Sequence, residues 1–219
     1  MKAYWLFRKD LLLELKTRYA VNALLMFILV ALSVILFAAG SENIPPELSG
    51  GLLWVVIFFS VMSGLSRVFV SEEEKGTVLL LHLMARPSTI FTGKLLFNVV
   101  LIFSINIIIT FLYWLLFDTF LLRNLLLFVV SFILGNIGIA VSSTIIAAII
   151  AKAGARGTLY PVLSFPVLLP LLLALIELTK YSMNGAVFGE CYVELGLLFC
   201  YDIIMLTASY LLFDFVWKE

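Results

Sequence analysis

Long apolar runs alternate with short polar connections along this chain. Six runs, at about 22–39, 51–70, 95–117, 125–150, 158–177 and 195–213, are of the order of the ~20 residues that a helix needs to cross a bilayer. The segment before the first run has a different pattern. Tyr4, Phe7, Leu11, Leu15 and Tyr19 recur every three or four residues, with Lys9, Asp10, Glu14, Lys16 and Thr17 opposite. That spacing predicts an amphipathic helix over residues 1–21 lying in the membrane interface. A third pattern fills 71–94, between the second and third runs. Ser71-x-x-Glu74 is a capping-box signature, and the acids Glu72, Glu73 and Glu74 suit the positive end of a helix dipole. Lys75-Gly76-Thr77 follows. Then Val78, Leu79, Leu81, Leu83 and Met84 make a stretch too apolar for a free loop and too short to span. We read a short coupling helix pressed on the membrane face, ended by Pro87, with Lys94 anchoring the third span. Such an element can pass a push from a soluble subunit to the second and third spans.

Composition supports this class. Of 219 residues, 63% are hydrophobic and 13% charged, with a mean hydropathy of +1.17. A soluble domain could not cover that much apolar surface, so the expected fold is an all-α polytopic membrane protein forming one transmembrane domain over 1–219. The first run is too long for a signal peptide and is read as a retained anchor. Net charge is zero, but its distribution is uneven. Twelve of the fourteen Lys and Arg fall in the N-terminal segment, the second and fourth connections with their flanks, and the C-terminus. The remaining connections hold Arg123 and Lys180 against six acids. The positive-inside rule therefore places both termini in the cytoplasm, and six spans require both ends on one side.

Within the spans, Ser131, Gly135, Gly138 and Ser142 form a small-residue stripe, and Ser60-x-x-x-Gly64 repeats the style; both read as close helix packing. The fifth run carries Pro161, Pro166 and Pro170. Each proline removes a backbone donor, which implies either a packing kink or a flexible helix lining a pathway. Asp202 is the one acid well inside a span, about seven residues or roughly 10 Å below the outer end of the sixth. Intramembrane acids tend to face the bundle interior and mark function. Its structural alternative is a hydrogen bond to Tyr201, Thr207, Asn98 or Asn106, or exposure at the outer interface. The outer connection over 178–194 contains nothing resembling a catalytic site.

The chain lacks the chemistry of several classes. Gly93-Lys94 is followed by Leu95 and belongs to no phosphate loop, so any ATP would be bound and hydrolysed by another chain. The sole histidine, His82, stands without a second ligand and reads as an ordinary interfacial residue rather than a haem or metal ligand. With one histidine, no Ser/His/Asp constellation exists at membrane depth. Cys191 and Cys200 have no metal-type spacing. We therefore expect no catalytic residue, no metal, no cofactor held by this chain and no nucleic-acid partner. A proton-coupled transporter working through Asp202 alone is a competing reading.

The stretch of acids, Gly76-Thr77, a leucine-rich helix with Leu81, then Pro87 and Gly93-Lys94, resembles the segment joining the second and third spans of ABC-2 type exporter membrane subunits. The likeness narrows to the haem exporter protein B (CcmB) family of c-type cytochrome maturation. It rests on Gly50-Gly51-Leu52-Leu53-Trp54-Val55, the glycine-bearing fourth span, and Leu163-Ser164-Phe165-Pro166-Val167-Leu168-Leu169-Pro170 in the fifth. Val78-Leu79-Leu80 departs from the acidic or polar residue usual after Gly-Thr-Leu. The resemblance implies a non-catalytic permease-like subunit in a bacterial inner membrane. It implies an ATPase partner (CcmA-like), a haem-handling membrane partner (CcmC-like) and, indirectly, a haem chaperone (CcmE-like), with haem handled by the complex. It also implies an ATPase-coupling role for Glu72, Glu73, Glu74, Gly76, Thr77 and Leu81. A generic ABC-2 exporter of a lipid, glycan or drug is the alternative of the same fold.

Overall fold

A computed structural model describes residues 2–17, 19–40, 44–65, 86–152 and 159–218. These form seven α-helices: α1 (Lys2–Thr17), α2 (Tyr19–Ala39), α3 (Pro46–Leu65), α4 (Pro87–Leu116), α5 (Leu125–Lys152), α6 (Leu159–Asn184) and α7 (Tyr192–Lys218), with one 3₁₀ turn at Phe188–Glu190. Five stretches are long and apolar enough to cross a membrane: Glu47–Gly64, Pro87–Leu116, Leu125–Lys152, Tyr160–Asn184 and Tyr192–Trp217. In α2 the apolar part, Leu24–Ala39, is shorter than these. The chain is thus a multi-pass helical membrane protein.

Helix ends overrun the apolar runs, and local chemistry explains where they stop. Pro46 opens α3 and Pro87 opens α4, each at a first-turn position where a missing N–H costs nothing. The last eight residues of the 71–94 segment are therefore helix, and Lys94 is buried within α4 rather than marking its start. At the other side, α6 continues seven residues beyond the expected end at Glu177. It stops at Gly185, whose φ of +81° is the left-handed conformation a side chain would resist. Gly185 N–H bonds the Ser182 carbonyl at 3.3 Å and Ala186 N–H the Tyr181 carbonyl at 2.9 Å, a Schellman end. Together with the start of α7 at Tyr192, this places ten of the seventeen residues of the connection expected at 178–194 in α-helix.

Polar pairs set the register between helices. Asn98 Nδ2 donates to Thr144 Oγ1 at 2.8 Å, and Asn106 Nδ2 to Asn136 Oδ1 at 2.6 Å. The second pair lies eight residues further along α4 and eight residues back along α5, so the two helices run antiparallel in step for about 12 Å. Between lipid and an apolar helix face there is little hydrophobic difference, so such bonds and close packing carry the specificity. Trp54 Nε1 on α3 donates to Thr179 Oγ1 on α6 at 2.8 Å, and Tyr113 Oη on α4 donates to the Ser49 carbonyl at 2.9 Å. At the end of the α4–α5 connection, Asn124 Oδ1 accepts the Leu127 N–H at 3.1 Å and caps α5, while its Nδ2 donates to the Ala186 carbonyl at 2.8 Å.

The small-residue stripes are packing seams. A Cβ on Gly135 would stand 2.6 Å from Leu175 Cδ2 on α6, and one on Gly64 would stand 2.7 Å from Leu24 Cδ1 on α2. Neither helix pair could close with alanine there unless leucine moved.

Candidate functional site

Two places join chemistry to helix packing. The first lies where α5, α6 and α7 meet. Asp202 is ten residues into α7, about 15 Å along the axis from Tyr192. Its side chain is 8% exposed, and neither carboxylate oxygen has a hydrogen-bond partner among the described residues. The partners expected from sequence are engaged elsewhere. Asn98 and Asn106 bond α5, Thr207 Oγ1 donates to the Ile203 carbonyl at 2.8 Å, and Tyr201 points to α5 and α6. Asp202 instead faces Gly138: a Cβ there would lie 2.5 Å from Asp202 Oδ1 and 3.0 Å from Leu171. Gly138 is missing a side chain where the acid needs room.

One residue earlier, the Tyr201 phenol bridges both neighbouring helices. It lies 2.9 Å from Ser142 Oγ on α5 and donates to the Val167 carbonyl on α6 at 3.0 Å. Val167 sits between Pro166 and Pro170, in the turn that the Pro170 ring disturbs. The phenol therefore holds the proline-bearing turn against α5.

Both prolines lie inside a continuous helix, so α6 is not broken. Their rings are on its exposed face, while Ser164, Leu168 and Leu171 turn inward. Pro166, Pro170 and Asp202 do share one junction, linked through Val167, Leu171, Tyr201 and Gly138, but the prolines line no internal path with the acid. Pro170 has no N–H for the Pro166 carbonyl, and Pro166 none for that of Val162, four residues earlier on the same exposed face.

The second place is the contact of α1 with the first turns of α4. Lys94 Nζ lies 2.9 Å from Asp10 Oδ2, with side chains only 3% and 8% exposed. One turn of helix away, a Cβ on Gly93 would stand 2.8 Å from Leu6 Cβ and 3.1 Å from the Ala3 carbonyl. Glu14 Oε1 accepts the Val21 N–H at 3.1 Å. The acids of α1 thus turn toward the protein beside Phe7 and Leu11, while Tyr4 and Leu15 of the same apolar stripe are exposed. The outward face carries Tyr4, Trp5, Leu12 and Leu15 together with Lys2, Arg8 and Lys16. Apolar spacing cannot separate these faces, because protein and lipid are both apolar; the buried ion pair decides. Next to this contact, Thr92 Oγ1 lies 3.0 Å from Tyr210 Oη, and Phe91 packs on Phe213 with ring centroids 5.0 Å apart, so the end of α7 closes on the start of α4.

The coupling candidates Glu72, Glu73, Glu74, Gly76, Thr77 and Leu81, and also His82, lie outside the described residues. Sequence reading missed the Asp10–Lys94 pair and the Tyr201 bridge. An acid inside an amphipathic apolar stretch, and a Gly-Lys pair without a phosphate loop, were the available signals.

These features define a polytopic helical membrane protein with an α1 helix docked on its bundle and a buried acid in α7 that has no hydrogen-bond partner among the described residues. A family model described as CcmB protein matches residues 1–212. The chain belongs to the CcmB family, and is a permease-type membrane component of the haem-handling ABC system of cytochrome c maturation. Comparisons with curated proteins and with solved structures give no match.

Proposed function

We propose that this chain couples ATP hydrolysis on a separate subunit to haem delivery and release of a haem-loaded chaperone, without holding ATP or haem as its own cofactor. It does so with six spans, α2 included, both termini in the cytoplasm of a bacterial cell and the bundle in the inner membrane. The residues of 71–81, chiefly Glu72, Glu73, Glu74, Gly76, Thr77 and Leu81, receive the ATPase. The observation that carries this reading is the unbroken α4. It runs 30 residues, about 45 Å, from Pro87 beside that segment to the far side of the bundle. At its start it is fixed to α1 by the Asp10–Lys94 pair and to α7 by the Thr92–Tyr210 contact. A displacement at Pro87 is therefore delivered to α1, α5 and α7 together.

The exposed prolines support a second membrane subunit. Carbonyls released by Pro166 and Pro170 on a lipid-exposed face would stay unsatisfied, which is costly at membrane depth. A haem-handling membrane partner packed on that face of α6 relieves this. Asp202, at the same junction, responds when Tyr201 lets the proline-bearing turn move. The test is replacement of Glu72, Glu73 and Glu74 by Ala. The ATPase subunit should co-purify less while the chain remains inserted; unchanged co-purification and unchanged ATP turnover would remove these residues from the coupling role.

A further inference from the structure

Between the N-terminal ends of α1 and α4 lies a cleft of about 490 Å³, lined by Lys2, Ala3, Arg86, Ser88, Thr89 and Thr92. We infer that it is a binding site for the headgroup of an anionic phospholipid. Its two cations come from different elements, Lys2 from α1 and Arg86 from the residue preceding α4, so the cleft depends on the close approach of α1 to α4 at Gly93 and at the Asp10–Lys94 pair. Arg86 is extended, with φ −68° and ψ 150°, and makes no side-chain cap on α4. The first turn of this long helix lines the cleft, so the positive end of its dipole lies beside the two cations. Ser88 and Thr89 bring hydroxyls of the kind that hydrogen-bond phosphate oxygens.

The surface continuing from the cleft identifies the source of the phosphate. Because Asp10 and Glu14 are used inward, the exposed face of α1 has cations and apolar groups but no exposed acid. Trp5 and Tyr4 are about three-fifths exposed, and the Arg8 guanidinium sits 5.6 Å from the Trp5 ring centroid. A face that is apolar and carries only positive charge matches the boundary between acyl chains and anionic headgroups. A soluble phosphate would make no use of the exposed Tyr4, Trp5, Leu12 and Leu15. The inference requires only membrane insertion and does not depend on the haem or ATPase reading.

Native mass spectrometry of the full chain, purified in detergent with added phosphatidylglycerol or phosphatidylcholine, tests it. Phosphatidylglycerol should stay bound at collision energies that strip phosphatidylcholine. Lys2→Gln with Arg86→Gln should lower its retention roughly tenfold or more, about what two surface cations contribute at an anionic membrane. Lys2→Arg with Arg86→Lys should retain it, as should Lys180→Gln at the opposite end of the bundle. Equal retention of the two lipids, which is what a site for an acidic protein segment would give, overturns the inference. So does unchanged retention in the double Gln variant, or loss in the charge-preserving variant. Displacement of phosphatidylglycerol by millimolar inorganic phosphate would assign the cleft to a soluble anion instead and equally overturn it.

Discussion

Replacing Lys94 with Met isolates the contact that joins α1 to the bundle. The pair is 2.9 Å long and nearly sealed from solvent, so the deletion leaves the Asp10 carboxylate buried without its main partner. Breaking a buried pair from one side costs about 3–5 kcal/mol, because the remaining charge keeps its desolvation penalty. Lys9 Nζ, 3.5 Å from the other oxygen of Asp10 and 39% exposed, offers partial replacement. We therefore expect the low end, about 3 kcal/mol. Asp10→Leu with Lys94→Met removes both charges and should return to within roughly 1 kcal/mol of the parent. The double-mutant cycle should then show a coupling of about 2 kcal/mol or more. Unfolding in detergent followed by tryptophan fluorescence gives the stabilities, and limited trypsin digestion at Arg8 and Lys16 reports undocking of α1. A loss below about 0.5 kcal/mol in Lys94→Met, or a double variant as unstable as the sum of the singles, would refute the claim that this pair docks the helix.

Other outcomes follow from the same geometry. Gly138→Ala should destabilise by about 1–3 kcal/mol through overpacking against Asp202 and Leu171, and Asp202→Ala should relieve part of it; thermal unfolding of the single and double variants measures this. Tyr201→Phe removes a second donor from the Val167 carbonyl, together with the contact to Ser142, and should cost about 0.5–1.5 kcal/mol, with lowered cytochrome c maturation in a complementation assay. Pro166→Ala with Pro170→Ala should impair that maturation and weaken co-purification of a membrane partner, whereas full complementation would reduce the prolines to packing. Burial raises the Cys191 thiol above its ordinary range, and the neighbouring Glu194 and Glu190 carboxylates add to the shift. Cys191 should therefore label slowly with maleimide at neutral pH. Because the folded thiol keeps its proton where the unfolded one loses it, its contribution to stability is present below the unfolded value and declines as pH rises through the alkaline range.

The parts of the fold set by continuous apolar runs were readable in the chain. The cores of α3 to α7 fall where the hydropathy places them, and the glycine stripe of α5 is a packing seam. Helix ends were less readable, because they depend on single residues: a proline at the first turn of α4, a left-handed glycine after α6. The face of α1 that meets the protein was unreadable for another reason. Apolar side chains suit lipid and bundle equally, so the choice rests on Asp10 and Lys94, 84 positions apart in sequence. Asp202 was identified from its type and depth alone. Its isolation was not, since it requires knowing that Asn98, Asn106, Tyr201 and Thr207 all bond elsewhere.

The most direct test of the coupling account is isolation of the native complex in mild detergent, followed by mass spectrometry and an ATP turnover assay. The account predicts a stoichiometric soluble subunit with a phosphate loop, a second membrane subunit, and ATP turnover lost when that soluble subunit is removed. A chain recovered without any ATP-binding partner, yet still supporting haem delivery in reconstituted vesicles free of ATP, would contradict it.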